Sequence, residues 1–251
     1  MIINKTGSVF LLALFFIPSL FAANLKVGII DTGFCGKQYK EVFNATKEDL
    51  GNICTLKRNH PRLHGQLVLE EFLKHAPKNV EVYPIVVFNK DGEQRLPYWE
   101  AAFDYSMKKK LDILLIAAGY PTKKKVSFPK FNIPSFVSSG TKEGGIKAKT
   151  YLYPQELKDS QRIFLIGSYS PSKNTKFNDA MVDSRRMYSD KIDYFFSGDS
   201  EESYLNGSSK AAATALGKAL KTCPLNKLEP CLKRSSKSIK VINHDKPLPT
   251  F

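Results

Sequence analysis

The chain has 251 residues, 42% of them hydrophobic, and 38 basic against 24 acidic side chains give a formal net charge of +14. No internal repeat, heptad run or proline- or glycine-rich linker divides it, which excludes a repeat array or coiled coil and leaves one large domain as the expectation. The lysine runs "MKKK" and "TKKKV" carry no interleaved aromatics, so the positive surplus reads as solvated surface rather than a nucleic-acid face; attraction to an acidic envelope or acidic substrates is the weaker alternative.

At the N-terminus, Lys5 precedes the apolar run "VFLLALFFIPSLFAA" (Val9 to Ala23). That run has the length of a signal-peptide core and falls short of the roughly 20 residues that a membrane-spanning helix needs. Residues 1–23 are therefore expected to be a signal peptide cut after Ala22 or Ala23. An uncleaved anchor is the alternative, because Leu20 and Phe21 are large for positions just before a cut. Export to a secreted or periplasmic location follows, with no stable membrane span after cleavage. The four cysteines, Cys35, Cys54, Cys223 and Cys231, suit an oxidising compartment and allow three disulfide pairings. Pairing of sequence neighbours, Cys35 with Cys54 and Cys223 with Cys231, is the expected one. Their spacing gives no zinc pattern.

Beyond the signal, "LKVGIID" is a short apolar run ending at Asp31 and reads as a buried strand. "HGQLVLEEFLKHAP" places Leu67, Val68, Phe72 and Leu73 at helical spacing and stops before Pro77. Strand "VEVYPIVVF", amphipathic "LPYWEAAFDYSMKKK", strand "LDILLIAAG", apolar "IPSFVSSG" and strand "RIFLIGSY" follow. Short apolar strands alternating with amphipathic helices predict an α/β domain, residues 24–222, around a mainly parallel sheet. Chemistry in such sheets gathers at the carboxyl ends of strands and at adjacent helix starts. Asp31 ends a strand, and His64 and Ser209 stand at helix starts.

The last helical stretch, "LNGSSKAAATALGKAL", begins with two serines that admit two readings. Either Ser208 or Ser209 caps the free N–H groups of the first turn, or a serine there is a nucleophile that needs a histidine and a carboxylate from elsewhere. Residues 223–251, rich in proline and lysine, are expected to form an extended tail packed on the domain.

Three blocks, "VGIIDTGF", "NHPRLHGQLV" and "LNGSSKAAATALGKAL", stand in the order Asp, His, Ser, and together they resemble the subtilisin-like serine proteases. The resemblance runs from Lys26 to about Thr222. It implies a three-layer α/β fold with a mainly parallel central sheet flanked by helices, and an exported endopeptidase acting on extended peptide or protein substrates. It also implies a catalytic triad of Asp31, His64 and Ser209, in which Ser209 attacks, His64 takes its proton and Asp31 orients the imidazole. The oxyanion hole implied is the Ser209 backbone N–H with Thr141, which stands where the family usually has an asparagine; an alternative alignment puts Tyr120 there. Ala117, Ala118 and Gly119 would pair with a bound peptide as an added strand. No cofactor is expected, no calcium site can be assigned, and a monomer is expected.

The sequence departs from the family at Thr141, at Lys210 where a methionine is common, and at Ala213 where a proline is common. Few residues separate the signal from Asp31, where a prodomain is usual. Asn206 also completes a glycosylation sequon in the serine loop. These departures keep a second function open, a catalytically weak subtilase-like protein that binds peptides. The "DTG" triplet keeps a third, an aspartic protease, which needs a second aspartate from a second motif or a dimer partner; no further DTG or DSG occurs in the chain.

Overall fold

β1 (Leu25–Asp31) is the strand on which the sheet is built, and its neighbours are set by two crossovers of opposite sense. The structure, a computed structural model, describes residues 24–36, 39, 41–140, 151–169, 191–199, 204–239 and 248–251. The expected signal peptide, residues 1–23, lies outside them. From β1 the chain passes through the short β2 (Phe43–Asn44) and helix α1 (His64–His75) to β3 (Val80–Val86), which lies parallel to β1 from Leu25↔Val80 to Asp31↔Val86. It then returns through α2 (Leu96–Lys108) to β4 (Ile113–Ile116), which pairs with the other side of β1.

The strands β6 (Ser135–Ser138), β8 (Ile163–Tyr169) and β9 (Tyr194–Ser197) extend the sheet beyond β4, giving the order β2-β3-β1-β4-β6-β8-β9 with every pairing parallel. Two small antiparallel pairs stand apart: β5 (Tyr120–Thr122) with β7 (Tyr151–Tyr153), and β10 (Lys237–Ile239) with β11 (Leu248–Thr250).

Helices cover both faces, and the strands are therefore apolar at successive positions instead of alternating with polar ones. Val27, Ile29, Ile113 and Leu115 pack with α1 and with the long helix α3 (Gly207–Thr222). Their neighbours Ile30, Leu114 and Ile116 point the other way, onto Trp99, Ala102 and Phe103 of α2. The architecture is thus three layers, helix, parallel sheet, helix, as the sequence led us to expect.

Two helix-level expectations need correction. On α1 the buried apolar side chains are Leu67, Val68, Leu69 and Phe72, while Leu73 is exposed. At the last turn of α1, α3 packs on Phe72 and His75 beside Gly217 and leaves Leu73 exposed. The first part of the segment after Cys223 is helical instead of extended, because α4 (Leu228–Ser235) folds there and buries Leu228, Cys231 and Leu232 in the core shared with α3. The proline that suggested an irregular tail, Pro230, stands in the first turn of α4, where its missing N–H has no intrahelical partner to lose. Both disulfides are those expected, Cys35–Cys54 and Cys223–Cys231, and the second ties α3 to α4. Among the described residues no helix is long and apolar enough to cross a membrane.

Pro84 sits inside β3, where a missing N–H would ordinarily break a ladder. It is tolerated because β2 meets β3 only at Ile85 and Val86, so among the described residues no strand pairs with Pro84 on that side.

Candidate active site

The chain leaves β1 toward β3 and comes back across it to β4, so the carboxyl ends of β1 and β4 flank the point where the winding reverses. A crevice opens at such a point in parallel α/β sheets. Asp31 ends β1, and Ala117, Ala118 and Gly119 follow β4. A cleft of about 340 Å³ lies here, lined by His64, Ala117–Gly119, Ser138, Gly140, Asn206 and Ser209, with Gln94, Leu152 and Gln155 among its other walls.

The start of α1 is drawn tightly onto the end of β1. Gly65 N donates to Thr32 Oγ1 at 3.1 Å, Thr32 Oγ1 donates to Arg62 O at 3.2 Å, and Gln66 N donates to Gly33 O at 3.0 Å. The approach depends on two glycines. A Cβ on Gly33 would stand 2.5 Å from Arg62 O, and one on Gly65 would stand 3.0 Å from the Asp31 Cβ. His60 takes part as well, accepting from Arg62 N at 3.2 Å and so capping the short turn that leads into the helix.

This seam brings His64 Nδ1 to 2.8 Å from Asp31 Oδ1. Asp31 is fully buried, and the same oxygen accepts the N–H of Thr32 at 2.6 Å. Asp31 Oδ2 is buried with no hydrogen-bond partner among the described residues, so the imidazole is the chief neutralising neighbour of this carboxylate. His64 keeps about a third of its side chain open, 34%, on the cleft side. Burial of the ring favours its neutral form, but the charge of Asp31 and the hydrogen bond to it outweigh that and raise the imidazole above its ordinary pKa.

Ser209 lies in the first turn of α3. The helix opens at Gly207, whose φ of +67° suits glycine, and Gly207 N donates to Gly198 O at 2.9 Å. Neither serine caps the helix: the N-cap residue is Asn206, and it makes no side-chain cap bond. The capping reading of this stretch therefore fails. Ser209 Oγ instead crosses the cleft mouth and donates to Ala117 O at 3.3 Å. The backbone N–H groups of the first turn, Ser209's included, carry the positive end of the helix dipole. Lys210, the charged neighbour of Ser209, reaches the backbone carbonyl of Asp199.

The fold thus gathers Asp31 and His64 in contact and places His64 and Ser209 on one cleft, with Ala117–Gly119 as its wall. Thr141 lies outside the described residues. Tyr120, its alternative, opens β5. The partner of Asp31 is an imidazole and not a second carboxylate, so the shared proton of an aspartic protease has no place here. Among the described residues no group of three or more His, Cys, Asp or Glu stands together in a way that could hold a metal ion.

Three lining residues escape sequence reading. Gln94 Nε2 donates to Gly119 O at 2.8 Å, and its Oε1 is held by the Trp99 indole N–H at 3.2 Å. Gln155, after β7, lies fully buried between the wall and β6, while Leu152 packs against Gly119. All three reach the cleft from segments with no motif around them.

Taken together, fold and site define a three-layer α/β protein with a parallel sheet and a polar cleft at its topological switch point. No family model matches the sequence, and no curated protein matches it. The fold does match solved structures. One of them is a lanthipeptide protease, superposed with a TM-score of 0.58 over 87% of this chain and 81% of that one, at 14% sequence identity. At that identity the likeness establishes shared fold.

Proposed function

We propose that this chain is an exported serine endopeptidase of the subtilisin-like kind, with Ser209 as nucleophile, His64 as general base and Asp31 as the group that orients and stabilises the imidazolium. The observation that carries the reading is the 2.8 Å contact between His64 Nδ1 and a buried Asp31, made on the far side of the ring from a cleft that also holds Ser209. Holding Nδ1 in that bond presents Nε2 to the cleft in the tautomer that can accept a proton. A protease among the structures sharing the fold supports the same reading.

In this mechanism the Ser209 proton passes to His64 Nε2 as Oγ bonds to the peptide carbonyl carbon. The oxyanion is met by the Ser209 N–H, where the helix start favours negative charge, and by Thr141. His64 then gives its proton to the leaving amine, and water repeats the sequence to release the acyl group. The peptide lies along Ala117–Gly119 as an added strand. The test is digestion of a peptide library by wild type beside Ser209→Ala, with cleavage expected from the first and none from the second.

A second reading, a peptide binder with little turnover, draws on one observation: Ser209 Oγ is engaged by Ala117 O. Exposure to an activated ester decides between them, since only the enzyme accumulates an acyl adduct on Ser209.

A further inference from the structure

The cleft wall meets a peptide with its carbonyls already engaged by the protein's own side chains. Ala117 O accepts from Ser209 Oγ at 3.3 Å, and Gly119 O accepts from Gln94 Nε2 at 2.8 Å. Gln94 and Gly119 both line the cleft, so the second bond is made where an added strand would lie.

The two bonds differ in what releases them. Ser209 Oγ gives up its proton when it attacks, so its bond to Ala117 O ends as the reaction begins. Gln94 has no part in the chemistry, and its other end is anchored: Oε1 accepts the indole N–H of Trp99 at 3.2 Å, and Trp99 is fully buried. Together these contacts fix the amide. The reversed group would set Oε1 against the Gly119 carbonyl and Nε2 against the indole N–H.

An antiparallel peptide whose attacked residue brings its N–H to Ala117 brings the N–H of the residue two before it to Gly119, because alternate positions of paired strands face each other in the same sense. We infer that Gln94 is a built-in competitor for the substrate backbone, holding Gly119 O and withholding that acceptor from the peptide N–H that arrives there. The inference rests on the peptidase reading above. Gln94 thereby shortens the stretch of peptide backbone that the wall reads.

The test compares a peptide substrate with its analogue in which that one N–H, two residues before the attacked residue, is replaced by an ester oxygen. Products are identified by mass so that only cleavage at the original peptide bond is counted. Loss of an N–H that makes a hydrogen bond lowers kcat/KM about three- to tenfold. Wild type is expected to cleave the two compounds with a kcat/KM ratio of about 1, since its Gly119 O is taken. Gln94→Leu keeps the bulk and lacks the donor, and it is expected to favour the amide about three- to tenfold, with the gain in KM and not in kcat. A general loosening of the cleft would not single out one N–H. A wild-type preference of that size for the amide overturns this inference and leaves the peptidase reading standing, and so does a Gln94→Leu protein that cleaves both compounds equally. The wild-type ratio needs no substitution, so it decides the matter alone should Gln94→Leu fail to fold. Absence of any Ser209-dependent cleavage in wild type overturns both readings.

Discussion

The imidazole of His64 meets the carboxylate of Asp31 at 2.8 Å across the seam between the end of β1 and the start of α1. Because Asp31 holds the imidazole above its ordinary pKa of 6.5, and a general base must be neutral, peptide hydrolysis should rise with pH through a midpoint above 6.5. Asp31→Asn removes the charge that raises the ring. Its pH profile should shift to a lower midpoint, and its kcat should fall by about 10⁴. The stability contribution has the opposite dependence. The folded pKa exceeds the unfolded one, so this contribution is complete below 6.5 and is lost as pH rises through the folded value. Chemical denaturation of wild type and Asp31→Asn across that range measures it.

Glu71 of α1 is buried and accepts from Thr214 Oγ1 of α3 at 3.0 Å, with Lys74 Nζ at 3.1 Å. Burial alone would raise its pKa, but the Lys74 and Thr214 bonds and the charges of Lys74 and Lys210 overcome that and lower it. Folded Glu71 is thus the stronger acid, and its contribution is present above pH 4.5 and lost as pH falls through the lower folded value. Glu71→Leu should leave Thr214 without its acceptor and cost about 1–3 kcal/mol at neutral pH in urea unfolding.

Gly207 should tolerate no side chain. Its φ of +67° is unfavourable for any residue with a Cβ, by about 1–2 kcal/mol, and relaxing it would turn the first turn of α3. Gly207→Ala is expected to lower kcat more than it lowers stability, as read by steady-state kinetics beside thermal unfolding.

The Cys35–Cys54 disulfide closes a loop of sequence separation 19 that leads from the end of β1 toward the turn before His64. Replacing both cysteines by serine should cost about 2–4 kcal/mol. Removing Cys223–Cys231 should loosen α4 from α3 and leave the cleft intact, so its cost should appear in stability and not in KM.

The sequence made the scaffold legible because parallel strands buried on both faces leave nearly unbroken apolar runs, as in "LKVGIID" and "LDILLIAAG". Asp31, His64 and Ser209 were legible through the three blocks that resemble the subtilisin-like proteases, each block at the end of a strand or the start of a helix. Gln94, Leu152 and Gln155 were not, since their place in the cleft comes from packing between segments far apart in the chain. The helix α4 was masked by Pro230 and the lysines around it, and its buried face has only Leu228, Cys231 and Leu232 to announce it. Leu73 failed in the other direction: helical spacing places it near the buried face, but α3 packs on the last turn of α1 through Phe72 and His75 and leaves Leu73 out.

The central claim is that His64 makes the Ser209 hydroxyl a nucleophile, and the direct measurement is reaction with a fluorophosphonate followed by peptide mapping of the adduct. The account predicts one phosphonyl group on Ser209 in wild type and none in His64→Ala. Equal labelling of the two proteins, or an adduct on any other residue, would contradict it.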